Sequence, residues 1–242
     1  AMSYLIYFRI LGYVATIVLH IGNMLVMAKP PSKEVLEDVR IRNFSQLQYR
    51  YLTCWTFFLQ VVYAVAALYC DVLILANSKT KDYKLPYYLK GFRETLFSAI
   101  VWPSSLVVCI FFWTLFTYDR SLVFPEYLDK ALKPINNHIM HTAILPIVLW
   151  ELLFQPRTQP RSHKRYLAHL VFHFGLYVAV LIYTYIERGS WIYPILGKLY
   201  GTAYFPLLVG FTLAFALFCY YIQWVLISVL WRTPGKAKKK VR

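Results

Sequence analysis

Six long apolar blocks constrain the fold of this chain more than any other feature of its sequence. Each block is about as long as an α-helix must be to cross the hydrocarbon core of a bilayer. The blocks are Tyr4–Ala28, Tyr51–Ala76, Thr95–Thr117, Ile135–Phe154, Tyr166–Ile186 and Ala203–Trp231. Strands of a membrane barrel would alternate between apolar and polar residues, and these blocks do not. We therefore predict an all-α membrane protein, a single domain of six transmembrane helices over residues 1–242, with a basic tail at 232–242.

The distribution of basic residues predicts the orientation of these helices. The chain carries a net charge of +15, which in a soluble protein would suggest a nucleic-acid partner. Beside membrane spans, basic residues instead bind anionic headgroups and set topology, so we expect no nucleic acid. The loops after the second and fourth blocks and the C-terminal tail contain 15 Lys and Arg, whereas the other three loops contain 10. Because Lys and Arg accumulate in cytoplasmic loops, both termini are predicted to be cytosolic.

The C-terminus and the cysteines bear on the compartment. The chain ends in "KKVR", with lysines at the third and fourth positions from the end. This pattern resembles a cytosolic dilysine retrieval signal, and a plain polybasic anchor is the alternative. We expect a multi-pass protein of the endoplasmic reticulum rather than of the plasma membrane. All four cysteines lie inside the apolar blocks without paired spacing, which predicts neither a disulfide framework nor a zinc site.

Two loops on the predicted outer or lumenal side have helical patterns of their own. Residues Pro30–Arg50 contain apolar side chains at near-helical spacing with charges between them, and Ser121–Leu132 is similar. Segments of this kind lie along a membrane surface with their apolar side toward the lipid. We predict short interfacial helices in both loops.

The segment "KPINNHIMHT", Lys133–Thr142, places two asparagines and two histidines at the start of the fourth block. In a six-span topology the second block begins on the same face, so Thr53 lies at a similar depth. The first block runs toward that face and places His20 and Asn23 in the same leaflet. Other polar residues fall toward the opposite face and are expected to form a separate feature: Asp71, Glu151, His169 and His173.

Helical spacing relates the polar residues of the fourth block. Asn137 and His138 precede His141 by four and three residues, so all three are predicted to share one helix face. Polar groups inside a membrane are costly unless they face the bundle interior or a cavity. Pro146 cannot donate to the carbonyl of Thr142, which predicts a kink beside His141 and a free acceptor there.

The residues alone leave several roles open for this cluster. The amides and imidazoles could be hydrogen-bonded contacts between packed helices. His138 and His141, with His20, could hold a metal or a haem, but no carboxylate or thiolate accompanies them, and we expect no metal and no cofactor. A transporter is disfavoured because the polar groups gather near one leaflet rather than at the midplane.

Nucleophilic catalysis is another role that the cluster could perform. It requires a hydroxyl within reach of an imidazole base, together with donors that stabilise an oxyanion. Thr53 and His141 satisfy the first requirement by depth. Asn137, or N–H groups at a helix start, could satisfy the second. Local sequence does not separate Thr53 from other candidate hydroxyls, which are Ser45, Ser121 and Thr142.

Five motifs occur in an order and at spacings that indicate a family. They are "YLTCWTFFLQ" (Tyr51–Gln60), "YDRSLVFP" (Tyr118–Pro125), "NHIMHT" (Asn137–Thr142), "LPIVLWE" (Leu145–Glu151) and "WIYP" (Trp191–Pro194). From the second span to the sixth, the chain resembles the family of androgen-induced and androgen-dependent tissue-factor-pathway-inhibitor (TFPI)-regulating membrane proteins. The resemblance implies an integral-membrane threonine hydrolase that cleaves fatty acid esters of hydroxy fatty acids, releasing a fatty acid and a hydroxy fatty acid.

The resemblance also implies site residues. The family's nucleophile is the threonine of its aromatic-Leu-Thr motif, here Thr53, and its essential histidine is the second of the Asn-His-x-x-His-Thr motif, here His141. Asn137 and His138 are then candidates for an oxyanion donor and an orienting residue. Ile139 replaces the small residue usual in the family, which bears on substrate preference more than on activity.

The expected partners are a lipid ester substrate and the surrounding membrane lipids. Its acyl chains would lie between the spans, with the carboxylate near outer basic residues, for which the candidates are Arg120, Lys130, Lys133 and Arg188. The alternative function is a non-enzymatic membrane binding or scaffold protein. A histidine-ligated metal or haem protein is a further alternative.

Overall fold

The computed structural model describes residues 4–231, and this range contains helices and no strands. The α-helices are α1 (Leu5–Met27), α2 (Lys33–Leu36), α3 (Val39–Leu47), α4 (Leu52–Ala76), α5 (Tyr87–Leu96), α6 (Trp102–Asp119), α7 (Pro134–His141), α8 (Ile144–Phe154), α9 (Lys164–Arg188), α10 (Pro194–Leu199) and α11 (Tyr204–Leu230). A π-helical segment, Phe97–Val101, joins α5 to α6. The predicted basic tail with its "KKVR" ending lies outside the described residues.

Six helical segments are long and apolar enough to cross a membrane. They are Leu5–Met27, Leu52–Ala76, Tyr87–Leu122, Pro134–Phe154, Lys164–Arg188 and Tyr204–Leu230. The prediction of an all-α protein with six transmembrane helices is thereby confirmed. The cytosolic position of the termini and the extent of the domain stay predictions. The third span begins at Tyr87 rather than at Thr95, because the charged residues of α5 interrupt the apolar pattern without interrupting the helix.

The third span is the centre of the bundle. In its most apolar stretch of 18 residues, 78% of the residues are buried. In the corresponding stretches of the other five spans, between 22% and 39% are buried, because the outer sides of these spans face lipid. Pro103 cannot donate to the carbonyl of Ala99, and the helix there widens into its π-helical turn. A neighbouring helix supplies a donor to this segment, since Gln223 Nε2 bonds the carbonyl oxygen of Ser98 at 2.8 Å.

A group of five charged residues is buried where four of the spans meet, and we call it the buried ionic network. Asp71 on α4 accepts hydrogen bonds from Arg9 Nε on α1 at 2.7 Å and from Arg93 Nη1 on α5 at 2.9 Å. Glu151 on α8 accepts from Arg157 Nη2 at 2.6 Å. Buried charges are tolerated when they are paired, as all five are here, although Arg93 Nε and Arg157 Nε have no hydrogen-bond partner within residues 4–231.

Two tyrosines are hydrogen-bonded to the buried ionic network, and Tyr13 connects the Asp71 group to the Glu151 group. Tyr13 donates its hydroxyl to Glu151 Oε2 at 2.6 Å and accepts from Arg93 Nη2 at 2.6 Å. Tyr63 donates to the other oxygen of Glu151. The network therefore fixes α1, α4, α5 and α8 against one another through side chains that have few alternative partners in lipid.

Several expectations about charged and polar residues require correction. Arg93 and Arg157 contribute to the loop charge that predicts the orientation, but the structure buries both, at 4% and 7% exposure. The four residues expected to form one separate feature divide into two groups. Asp71 and Glu151 belong to the buried ionic network, while the two histidines of α9 lie outside it. His169 is exposed, and His173 bonds Ser104.

The two interfacial loops contain the predicted short helices. Helices α2 and α3 occupy the first loop, and the 3-10 segment Glu126–Lys130 occupies the second. The guanidinium of Arg40 lies 4.5 Å from the ring centre of Tyr127, which joins the two loops. Arg40 also donates to Asp38, and these hydrogen bonds lower the pKa of the Asp38 carboxyl to about 2.

Replacement of Glu151 tests the structural role of the buried ionic network. Glu151→Ala leaves Arg157 as a buried unpaired cation and is expected to lower the free energy of unfolding by about 3–5 kcal/mol. Glu94→Ala is the matched control, since Glu94 is exposed and only 3.9 Å from Lys90, a pair worth at most about 1 kcal/mol. Thermal unfolding in detergent measures both, and equal losses in the two variants would contradict this role.

Candidate active site

Thr53 lies in the first turn of α4, and the preceding chain fixes its position. A 3-10 turn over Gln48–Arg50 leads into Tyr51, whose extended backbone (φ −76°, ψ 139°) ends the loop, and α4 begins at Leu52. The N–H of Leu52 donates to the hydroxyl oxygens of Tyr177 at 2.9 Å and Tyr193 at 3.1 Å. The start of α4 is thus held by α9 and by the residue that precedes α10.

His141 is the last residue of α7, where the fourth span is interrupted. Thr142 and Ala143 form a turn before α8 resumes, so the structure has the predicted break beside His141. The expected free acceptor is absent among the described residues, because the N–H of Leu145 donates to the carbonyl of Thr142 at 3.2 Å. A tighter, 3-10-like bond thus replaces the one that Pro146 cannot make.

Thr53 and His141 are in direct contact. Thr53 Oγ1 lies 3.1 Å from His141 Nε2, and His141 Nδ1 lies 3.1 Å from the main-chain oxygen of Asn137. A carbonyl only accepts, so Nδ1 carries the proton and the lone pair of Nε2 faces the threonine hydroxyl. The imidazole also stacks on Phe112, with ring centres 3.5 Å apart and planes 11° from parallel. A hydroxyl, an imidazole within reach of it and a group that orients the imidazole are the parts that nucleophilic catalysis requires.

An apolar cavity of about 420 Å³ adjoins the Thr53–His141 pair, and both side chains line it. Most of the other lining residues are apolar, and about half of them come from the third, fifth and sixth spans, including Val107, Phe111, Phe174, Val178, Leu208 and Leu213. Both interfacial loops also contribute lining residues, among them Phe44 and Leu128. The volume falls within the range of small-molecule sites, and the lining suits a hydrocarbon chain.

The structure gives Asn137 a different contact from the one expected. Its amide is not among the groups that line the cavity, and its Oδ1 is buried without a hydrogen-bond partner in residues 4–231. Its main-chain oxygen, instead, receives the Nδ1 proton of His141. An amide that does not reach the cavity is poorly placed to stabilise an oxyanion there.

His138 is not brought to His141. Its side chain is exposed, stacks on Trp113 with ring centres 5.1 Å apart, and places Nδ1 3.1 Å from Thr142 Oγ1. The expectation that His138 shares a face with Asn137 and His141 is therefore wrong, because those two are buried and His138 points outward. A spacing of three residues on a helix permits a shared face but does not require it.

Part of the polar cluster packs helices together. Asn136 Nδ2 donates to Asn23 Oδ1 at 2.6 Å, which links α7 to α1. His20 Nε2 lies 2.7 Å from Gln60 Oε1, and its ring stacks on Phe57 of α4. These contacts are of the kind expected for polar contacts between transmembrane helices. The cluster thus contains residues that pack α1 against α4 and α7, and other residues that face the cavity.

The four cations considered for the substrate carboxylate do not line the cavity. Arg120 is bonded to Asp129 at 2.8 Å and to the carbonyl of Phe124. Arg188 lies 3.6 Å from Glu187, and Lys130 and Lys133 are exposed. Lys133 comes nearest by sequence, since Leu132 lines the cavity, and Arg120 bonds the carbonyl of another lining residue, Phe124.

Of the alternative hydroxyls, Ser121 is exposed, Ser45 is half-buried, and neither lines the cavity. Thr142 bonds His138 and receives the indole N–H of Trp113, away from the cavity.

A further hydroxyl–imidazole pair has no counterpart among the sequence expectations. Ser104 Oγ lies 3.2 Å from His173 Nε2, and both residues are buried. None of the five motifs contains Ser104 or His173, so the motifs offered no reason to pair them. Among the pairs of this kind in residues 4–231, the Thr53–His141 pair is the one that lines the cavity. No group of three or more His, Cys, Asp or Glu in that range is arranged to hold a metal ion.

Comparison with known proteins places the chain in a family. The FAR-17a/AIG1-like protein family matches residues 8–228. The human (Homo sapiens) androgen-dependent TFPI-regulating protein is 35% identical over 152 residues, which are 63% of this chain and 64% of the relative. The mouse (Mus musculus) protein of that name is 38% identical over 151 residues, 62% of this chain and 63% of the relative. Each of these two alignments thus spans less than two thirds of the relative's length.

A second kind of relative aligns over more of the chain. The human androgen-induced gene 1 protein is 25% identical over 195 residues, which are 79% of this chain and 81% of the relative. No solved structure matches the chain. Since the family match covers nearly all of the described residues, the chain belongs to the FAR-17a/AIG1-like protein family.

Proposed function

We propose that this protein is an integral-membrane lipid esterase that hydrolyses fatty acid esters of hydroxy fatty acids, with Thr53 as nucleophile and His141 as base. The contact of 3.1 Å between Thr53 Oγ1 and His141 Nε2, at the wall of an apolar cavity, is the observation that carries the proposal. A threonine hydroxyl is a weak nucleophile without a base, and the imidazole is oriented to accept its proton.

The first half of the reaction transfers the acyl group to the protein. His141 Nε2 takes the proton of Thr53 Oγ1 while this oxygen bonds the ester carbonyl carbon, giving a tetrahedral oxyanion. Collapse of the oxyanion breaks the bond to the alkoxy oxygen. The proton on Nε2 moves to that oxygen, and the hydroxy fatty acid leaves.

The second half regenerates Thr53. A water molecule gives its proton to His141 Nε2 and attacks the threonyl ester, and the second tetrahedral oxyanion collapses with return of the proton to Thr53 Oγ1. The free fatty acid is released. Throughout, the main-chain oxygen of Asn137 holds the Nδ1 proton and so keeps Nε2 directed at the reacting oxygen.

The cavity supports an acyl substrate rather than a polar one. Most of its wall beyond Thr53 and His141 is apolar, and α6, α9 and α11 supply about half of the residues that form it. Gly175 of α9 is part of this wall, and a Cβ atom built on it would meet no atom within 4 Å. Gly175 is exposed, so a hydrocarbon chain beside it would lie at an open side of the cavity, with its ester at the Thr53–His141 pair.

We also propose that the protein resides in the endoplasmic reticulum with both termini in the cytosol. The excess of Lys and Arg in the even-numbered loops and the tail supports the orientation. The Lys-Lys pair of the predicted basic tail supports the compartment. In that orientation Thr53 and His141 lie toward the lumenal side, near α3, whose Phe44 lines the cavity.

Substitution of Thr53 and His141 tests the proposed chemistry. We expect Thr53→Ala to abolish hydrolysis of a hydroxy-fatty-acid ester by the purified protein in detergent, because the covalent route is lost. We expect His141→Ala to slow it by roughly 10²–10⁴-fold, the usual contribution of a general base. A fluorophosphonate probe should label the wild type and fail to label Thr53→Ala.

Ser104→Ala is the matched control for this test. It removes a buried hydroxyl that bonds an imidazole outside the cavity, so we expect it to keep both hydrolysis and labelling. If Thr53→Ala and His141→Ala retain wild-type rates, the assigned pair is wrong. If the wild type neither hydrolyses the ester nor reacts with the probe, the scaffold alternative is favoured, and the substitutions would alter only the melting temperature.

Filling the cavity at Gly175 tests where the acyl chain lies. Gly175→Phe places a side chain in open space within the cavity wall, so we expect the preferred acyl chain to become shorter. Gly210→Phe is the matched control, because Gly210 has similarly open space but does not line the cavity. The measurement is kcat/KM across a series of acyl lengths. The same change of preference in both variants would contradict this placement.

A further inference from the structure

Two tyrosine hydroxyls lie beside the proposed nucleophile without a role in the chemistry described so far. Tyr177 of α9 and Tyr193 both line the cavity that contains Thr53 and His141. Their hydroxyl oxygens are 2.9 Å apart, and both accept the N–H of Leu52, the residue that precedes Thr53. The pair is therefore anchored to the backbone at the point where the nucleophile begins its helix.

A count of protons shows that one donor of this pair is free. The two hydroxyls share one contact, so one O–H donates to the other oxygen and is used. The remaining O–H has no acceptor among residues 4–231, since the only other contact of either oxygen is the N–H of Leu52, which donates. Tyr51 differs, because its hydroxyl, at the same cavity, lies 3.2 Å from the carbonyl of Ile192 and donates to it.

The backbone of Thr53 supplies a second free donor. An N–H in the first turn of a helix has no intrahelical acceptor. The carbonyl of Tyr49, four residues before Thr53, receives the indole N–H of Trp55 at 3.0 Å instead. The described residues contain no acceptor for the N–H of Thr53, which lies next to the N–H that holds the two tyrosines.

We propose that the Tyr177–Tyr193 hydroxyl pair and the N–H of Thr53 form the oxyanion hole for the ester that Thr53 attacks. This inference rests on the proposed function. The free phenolic O–H and the Thr53 N–H donate to the carbonyl oxygen as it becomes the oxyanion of the tetrahedral intermediate. Donors placed in advance at such an oxygen stabilise the transition state more than the ground state, and so raise kcat.

The surroundings suit a phenol that acts as a donor. Desolvation at the cavity wall raises the pKa of Tyr193 to about 12, so its hydroxyl keeps its proton at neutral pH. The N–H of Leu52 draws electron density from the hydroxyl oxygens, which strengthens the donor that remains free. The tyrosine pair would be the oxyanion donor that the sequence predicts at Asn137, whose amide does not line the cavity.

Variants that remove one hydroxyl at a time test the oxyanion hole. Tyr177→Phe and Tyr193→Phe each leave one oxygen to accept the N–H of Leu52, so the start of α4 keeps its cap. Each variant still has one phenolic O–H, but only one of the two oxygens is adjacent to the ester carbonyl oxygen, so we expect the variant that lacks this oxygen to lower kcat for ester hydrolysis by roughly 10²-fold, as for loss of one oxyanion donor. KM should change little.

Two inhibitors distinguish a loss of oxyanion stabilisation in these variants from a change in the shape of the cavity. An alkyl boronic acid forms a tetrahedral adduct with Thr53, and the variant with reduced kcat should bind it weaker by the same factor. An ether analogue of the ester has no carbonyl oxygen, and its affinity should be unchanged. Tyr220→Phe is the control, because it removes a buried hydroxyl that bonds His163 outside the cavity. It should alter neither kcat nor either affinity.

The outcomes distinguish this inference from the proposed function. If both single variants keep wild-type kcat and boronic acid affinity, the oxyanion hole is wrong while the Thr53–His141 pair can still stand. If either variant loses boronic acid and ether affinity by the same factor, the hydroxyls only shape the cavity, and the inference is likewise wrong. If the wild type is not labelled at Thr53 by a fluorophosphonate, the proposed function itself fails.

Discussion

Arg93 is the residue on which the arrangement of the bundle depends. It bonds Asp71 of α4 directly and reaches Glu151 of α8 through the Tyr13 hydroxyl, so one guanidinium joins both helices to the central span. Along α4, Thr53 lies about 27 Å from Asp71. The turn at Thr142 joins α8 to α7, which ends at His141. A charge cluster that cannot be solvated elsewhere in lipid thus sets the register of the two segments that meet at the cavity.

The polar residues of the fourth span serve two purposes in this arrangement. Asn136 bonds Asn23 and holds α7 against α1. Asn137 uses its backbone to orient His141, which also lies flat on Phe112. A packing explanation and a catalytic explanation of the same motif are therefore compatible, because different residues of it carry them. The packing contacts limit the motion of α7 and so the motion of the imidazole.

Much of the fold and part of the site follow from the sequence, and the failures have a common cause. Span number depends on hydrophobicity along the chain, and this prediction is confirmed, although the third span begins at Tyr87 rather than at Thr95. Burial of Arg9 and Arg93 depends on partners about 60 and 22 residues away, which local periodicity does not reveal. The outward turn of His138 and the Ser104–His173 pair likewise depend on which neighbouring helix each side chain meets.

The main-chain oxygen that orients His141 stands where Ser-His-Asp hydrolases have a carboxylate. A neutral carbonyl leaves the resting site without any formal charge, which suits a group surrounded by hydrocarbon. In the proposed reaction, charge exists only during turnover, as an imidazolium and an oxyanion created together and a few ångströms apart. Each ion is the main counterion of the other. Proton transfer from Thr53 without carbonyl addition would leave the imidazolium without the oxyanion and would therefore cost more free energy. Formation of a Thr53 alkoxide is thus disfavoured until an ester is bound.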